Sequence, residues 1–304
     1  MTSQYIITLI APSSATLSKA DIQLVQDMAA AAGFTVAGSE WLAQGEALDI
    51  VLNATVESQR EGLIARLKTE LEQVDAIFQP LDANRRKKLL ISDMDSTIIQ
   101  QECIDELADE MGIKPHVADI TERAMRGELD FKMALRERVK LLKGLEIAAL
   151  ERVYNNHITF MPGARELVAT MRKHGAYCML VSGGFTYFTS KVRDALGFHS
   201  DSANILEVQN DKLLGMVVEP ILDKEAKLFS LKEAAFSHDI RLAQTIALGD
   251  GANDLPMLQA SGLGIAYHAK PAVRAAATAC INHSDLRAAL YAQGYKKSEF
   301  VGAV

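Results

Sequence analysis

The chain has 304 residues, enough for two domains or for one large domain carrying an insertion. Apolar residues make up 49% and charged residues 23%, so a packed core is feasible. A net charge of −7 speaks against nucleic acid and, more weakly, against an anionic membrane surface, because binders of either carry a basic surplus. Cys103, Cys178 and Cys280 lie far apart with no Cys-x-x-Cys or Cys/His cluster, which sets aside a disulfide framework and a zinc site. No apolar run approaches the roughly 20 residues that span a bilayer. The expectation is a cytoplasmic chain with a small-molecule partner.

Residues 1–82 read as alternating strands and helices: a strand near 4–10, an amphipathic helix near 18–32 and apolar runs at 34–39 and 48–52. A helix near 57–72 and a strand near 73–79 follow. The βαββαβ order predicts a small ferredoxin-like module, without a catalytic constellation of its own. Asp82-Ala-Asn-Arg-Arg-Lys-Lys88 reads as a solvated linker. Beyond it, apolar runs at 89–92, 177–181, 245–248, 264–267 and 279–282 alternate with helical patterns. Near-continuous hydrophobic strands of this kind predict an α/β fold with a parallel sheet covered on both faces. The charged, helical stretch 103–158 is too long for one crossover and reads as an inserted cap, splitting the core into 83–102 and 159–304. A shorter insertion near 205–221, with Asn210-Asp211 between apolar runs, predicts a β-hairpin.

Four polar motifs fall at strand ends or helix starts. Asp93-Met-Asp95-Ser-Thr97 follows the strand at 89–92, where ligands bind in open α/β sheets. Taken alone it reads as readily as a turn or a helix N-cap. Leu248-Gly-Asp250-Gly-Ala-Asn253-Asp254 follows another apolar strand. If the two strands are neighbours, two or three carboxylates converge, and two charges about 4 Å apart repel by roughly 4 kcal/mol at an effective dielectric of about 20. Such a cluster needs a cation. Hard oxygen ligands favour magnesium or calcium over zinc, and few protein ligands plus a phosphate suit magnesium. Ser182-Gly183-Gly184 sets a hydroxyl beside exposed backbone N–H groups at the start of a helix, an anion site or a plain turn. Lys227 precedes an apolar helical face, but Lys224 lies in the same segment, and their chemistry does not choose between them.

The order of these motifs, D-x-D-x-T, Ser-Gly-Gly, a lysine and G-D-G-x-x-D, resembles the haloacid dehalogenase-like phosphatases over about 88–295. The resemblance implies a Rossmann-like sheet with a helical cap, and residues 1–82 look like an ACT-type module. Within the family, Asp93 to Glu102, Thr121 to Gly127, Phe131 and Leu135 to Val139 are similar to the phosphoserine phosphatase branch. That likeness implies Mg2+-dependent hydrolysis of O-phosphoserine, the last step of serine biosynthesis. Asp93 would be the nucleophile that forms an aspartyl phosphate, and Asp95 the general acid and base. Magnesium would be held by Asp93, the Asp95 backbone carbonyl and Asp250, and phosphate by Ser182, Gly183 and Lys227. Asn253, Asp254, Thr97 and Gly184 would support these groups. Glu102 would take the amino group and Arg138 the carboxylate, while Met125 and Phe131 close over the side chain. Taken singly, Arg138 reads as surface, Met125 and Phe131 as packing, and Glu102 as a helix-start residue. A homodimer is left open. The alternative is a phosphatase or phosphotransferase for another small phosphorylated amine or alcohol.

Overall fold

The computed structural model describes residues 3–55, 58–125 and 128–302, without the side chains of residues 122, 124 and 125. The N-terminal unit runs β1 (Gln4–Ile10), α1 (Lys19–Ala31), β2 (Phe34–Ala43), β3 (Ala47–Ala54), α2 (Arg60–Thr69) and β4 (Asp75–Pro80). Its antiparallel sheet has the order β2-β3-β1-β4. Ser18 caps α1 in a reciprocal capping box with Asp21, which satisfies N–H groups the helix leaves open. Tyr5, Ile7 and Leu9 of β1 pack with Val25, Met28 and Leu63 of the two helices. Ile10 instead joins the core of the rest of the chain, so β1 is covered on both faces.

Charged groups seal the seam between this unit and the rest of the chain. Arg85 donates to Asp49 at 2.7 Å and to Thr8 at 3.1 Å. Buried Asp75 accepts backbone N–H bonds from Asn282, His283 and Ser284 at 2.7–3.3 Å. Hydrogen bonds to a charged group contribute about 1.5–3 kcal/mol each, so the seam is held by specific polar contacts as well as by packing.

The larger unit is built on a six-stranded parallel sheet of order β12-β11-β10-β5-β6-β7. Its strands are β5 (Leu89–Ser92), β6 (Tyr177–Phe185), β7 (Ser200–Asn204), β10 (Thr245–Gly249), β11 (Leu263–Tyr267) and β12 (Ala279–Ile281). Leu90, Leu180 and Leu248 face one hydrophobic layer and Leu89, Ile91 and Ala247 the other, which is why these strands read as unbroken apolar runs. The layers are completed by α7 (Ala164–Lys173), α8 (Thr186–Leu196), α9 (Lys224–Ser237), α10 (Leu255–Ala260), α11 (Pro271–Ala276) and α12 (Ala288–Ala292). The edge strand β7, Ser-Asp-Ser-Ala-Asn, has no apolar pattern to announce it.

Between β5 and α7 stand four helices, α3 (Cys103–Glu110), α4 (Lys114–Met125), α5 (Phe131–Leu141) and α6 (Ile147–Asn156). The hairpin of β8 (Leu206–Gln209) and β9 (Lys212–Val217) turns through Asn210 and Asp211 at φ 52° and 59°, the left-handed pair that an Asn-Asp turn favours. It is bonded to the four-helix insertion, through Gly144 N–H to Leu213 O at 2.8 Å and Leu213 N–H to Leu145 O at 2.9 Å. Among the described residues no helix is long and apolar enough to cross a membrane.

Candidate active site

The sheet order decides which motifs meet. Asp93 leaves β5 at its carboxyl end, with its N–H still bonded to Leu248 O of β10 at 2.9 Å. Asp250 leaves β10 on one side of β5, and Ser182-Gly183-Gly184 lie in the last stretch of β6 on the other. Motifs up to 157 residues apart in sequence therefore share one sheet edge. Carboxylate oxygens of Asp93, Asp250 and Asp254 lie within 4.8 Å of one another.

Lys227 enters this cluster from the first turn of α9, whose N-cap Asp223 accepts Ala226 N–H at 3.1 Å. Its ammonium is buried, 2.8 Å from Asp93 Oδ1 and 2.7 Å from Asp254 Oδ1. Lys224, one helical turn earlier, keeps 57% of its side chain exposed and faces Glu225 at 3.7 Å. Asp93 Oδ1 also accepts Met94 N–H at 2.8 Å, and Asp254 Oδ2 accepts Gly251 N–H at 3.0 Å. Thr97 Oγ1 donates to Asp250 at 3.4 Å.

One lysine does not offset this much negative charge. Burial pushes the Asp93 carboxyl well above its usual range, with Asp254 adding to the rise and Lys227 opposing it. Burial, then Asp254 and Glu102, push Asp250 to about 7. Burial and Glu102 push Asp95 to about 8, and buried Asp95 Oδ1 has no hydrogen-bond partner among the described residues. Burial alone would lower Lys227, but Asp254 and Asp93 outweigh it and keep the ammonium charged. An all-carboxylate cluster with an orphaned carboxyl oxygen beside it fits a hard divalent cation, whose charge would remove the repulsion.

Opposite this edge, a cavity of about 1050 Å³ opens beneath the four inserted helices. Asp93, Asp95, Ser182, Gly183, Asp250 and Asn253 line its floor, and Glu102, Phe131 and Arg138 its upper wall. Phe131 lies on Gly183, where any β-carbon would sit 3.0 Å from its ring. A β-carbon on Gly184 would sit 2.9 Å from Asp95 Oδ2 and 3.0 Å from Ser182 Oγ, so both glycines serve close approach. Glu102 accepts Ser96 Oγ at 2.7 Å. Arg138 donates to Thr121 Oγ1 and to Ala134 O, both at 3.3 Å; burial lowers its guanidinium pKa, and Asp105 and Glu102 oppose that shift.

Residues 90–259 match the haloacid dehalogenase-like hydrolase family, more than half of the chain. The chain belongs to that family. Within the haloacid dehalogenase-like hydrolases, it is 48% identical over 204 residues to a phosphoserine phosphatase of Polaromonas sp., covering 66% of this chain and 86% of the relative. It is 43% identical over 224 residues to that of Archaeoglobus fulgidus, covering 73% of this chain but 65% of that relative's length. The solved structure of a probable phosphoserine phosphatase from Vibrio cholerae, in unliganded form, superposes with a TM-score of 0.73 at 30% identity, over 98% of this chain and 88% of that one.

This haloacid dehalogenase-like site draws together all the motif residues expected from sequence whose side chains are described, with one difference. The Ser-Gly-Gly stretch is not at a helix start: β6 stays extended through Phe185 and α8 begins at Thr186, so the turn presents strand-end rather than helical N–H groups. The third carboxylate beside Asp93 and Asp250, left open by the sequence, is that of Asp254. Met125 ends α4, and its side chain lies outside the described residues. Sequence reasoning passed over Ser96, Thr121 and Asp105, ordinary polar residues whose partners come from other elements, and Lys270, which lines the cavity. The buried run of β11 ending in Tyr267-His-Ala-Lys270-Pro271 was the available signal for Lys270.

Proposed function

We propose that the chain is a phosphoserine phosphatase, hydrolysing O-phosphoserine to serine and phosphate through an aspartyl phosphate on Asp93. One observation carries the proposal: Asp93 and Asp250 of the buried carboxylate–lysine cluster line a single cavity together with Glu102 and Arg138. Phosphoserine has a dianion at one end and a zwitterion at the other, and the cavity offers matching chemistry to both. The relatives named phosphoserine phosphatase add independent support.

Among the described residues the donors to Asp93 converge on Oδ1, which leaves Oδ2 to attack phosphorus. Asp95, whose carboxyl is pushed to about 8, carries a proton at neutral pH and would give it to the departing serine oxygen, then take one from the hydrolytic water. Ser182 Oγ, the Gly183 N–H and Lys227 would hold the transferring oxygens as charge spreads over them. Glu102 would pair with the substrate ammonium, and Arg138 would bind its carboxylate in a forked contact. Phe131, with Met125, would cover the small side chain and exclude water. Asp93, Asp250 and the Asp95 backbone carbonyl would hold Mg2+, oriented by Thr97, Asn253 and Asp254. When bound, the ion supplies positive charge between nucleophile and phosphate.

We place the enzyme in the cytoplasm, a reading supported by three buried, unpaired cysteines. Its βαββαβ N-terminal unit (1–82) we read as an ACT-like domain and the helical insertion (103–158) as the cap. A phosphate-release panel of small phosphorylated metabolites, with and without Mg2+ and with homoserine as a trial acceptor, tests the activity. Phosphoserine should lead the panel and release should require the ion. Stronger release from another phosphorylated amine or alcohol, or transfer to homoserine, would overturn the assignment.

A further inference from the structure

The haloacid dehalogenase-like core has a buried polar side chain that the proposed mechanism does not use. Asn204 ends the edge strand β7 and is 2% exposed. Its Nδ2 donates to Gly183 O at 2.8 Å and to Leu222 O at 3.5 Å, and its Oδ1 accepts Leu222 N–H at 2.7 Å. Two carbonyls on one side and an N–H on the other fix which way the amide points.

Both partners lead directly to the phosphoryl end of the site. Gly183 lies where the pairing register of β6 with β7 is interrupted, between Val181 and Phe185, and the Asn204 amide donates into that gap. Leu222 immediately precedes Asp223, the N-cap of α9, and Lys227 follows in the first turn. The Asn amide supplies one donor and one acceptor in a short plane: ionised Asp lacks the donor, Leu lacks both, and Gln adds a methylene to a filled site.

We infer that Asn204 is a positioning residue for phosphoryl transfer, joining the Ser182-Gly183 turn to the segment that delivers Lys227 so that the two grip the same group. The inference rests on the phosphatase reading but concerns only its phosphoryl end. Asn204 touches no reacting atom. Its effect comes through the spacing of two elements, and a misplacement of about 1 Å costs on the order of 100-fold in rate.

The test uses the full chain. Asn204→Leu keeps the side-chain volume and removes both the donor to Gly183 O and the acceptor for Leu222 N–H; Asn204→Ser, whose hydroxyl is too short to reach both elements, serves should the unpaired buried groups of the first variant prevent folding. kcat and KM are measured on phosphoserine and on p-nitrophenyl phosphate, for variants with the circular-dichroism spectrum of the parent. Expected is a fall in kcat of about 100-fold on both substrates, with the phosphoserine KM within about 3-fold. A folded variant with kcat within about 2-fold of the parent would overturn the inference. So would a loss confined to phosphoserine, which would move Asn204 to the serine end. A parent chain that cleaves the aryl phosphate but not phosphoserine would remove the substrate reading and leave Asn204 to be judged on the aryl substrate.

Discussion

Lys227 is the perturbation with the most to say about how this site holds together. Replacing it with methionine keeps the length and apolar bulk of the stem and removes the ammonium that pairs with Asp93 and Asp254 at 2.8 and 2.7 Å. At an effective dielectric of about 20, each contact is a gross attraction of about 6 kcal/mol. Desolvation of three buried groups takes back much of it, and removing one partner of a buried pair costs about 3–5 kcal/mol net. The loss has a sign in pH. Without Lys227, Asp93 and Asp254 are two buried carboxylates facing each other, and the Asp93 carboxyl, already raised by burial and by Asp254, rises further. A folded-state pKa raised above the unfolded value means that the folded chain binds more protons, so stability falls as pH increases. The Lys227→Met deficit should therefore be small near about pH 5 and largest near about pH 8. Urea unfolding followed by far-ultraviolet circular dichroism reads it, and phosphate release should be lost alongside. A deficit below about 1 kcal/mol at both pH values, or retained turnover, would refute the reasoning.

Arg138→Ala should raise the phosphoserine KM by about 10- to 100-fold, the cost of losing a forked charge contact, and barely change hydrolysis of p-nitrophenyl phosphate; equal losses on both would make Arg138 a packing residue. Gly184→Ala would put a methyl 2.9 Å from Asp95 Oδ2 and should lower kcat by about 100-fold with little change in melting temperature, whereas a wild-type kcat would show that Asp95 has room to move. With the Asp250 carboxyl pushed to about 7, a divalent ion competes with protons there, so Mg2+ affinity measured by calorimetry should weaken as pH falls below 7 and binding should release protons. Affinity unchanged between about pH 6 and 8 would take Asp250 out of the ion site.

The parallel sheet was legible because burial on both faces leaves a mark on every residue of a strand, as in Leu89-Leu-Ile-Ser92 and Thr245-Ile-Ala-Leu248. The hairpin was legible because Asn210 and Asp211 tolerate left-handed backbone. β7 was not, since an edge strand of Ser-Asp-Ser-Ala-Asn needs no apolar alternation when its stability comes from pairing with β6.

By itself, the sequence placed Asp93, Asp95 and Asp250 as candidate acids at the ends of apolar strands, with a plain turn or cap as the other reading. Only the tertiary structure decided that Lys227 and not Lys224 is the buried cation, that Asp254 stands with Asp93 and Asp250, and that Asn204 links the Gly183 stretch to the segment before α9. The reason is physical. An apolar residue declares its burial through periodicity with its chain neighbours, whereas a buried polar residue is stabilised by particular atoms that folding brings from elsewhere, such as the Asp93 carboxylate 134 residues before Lys227.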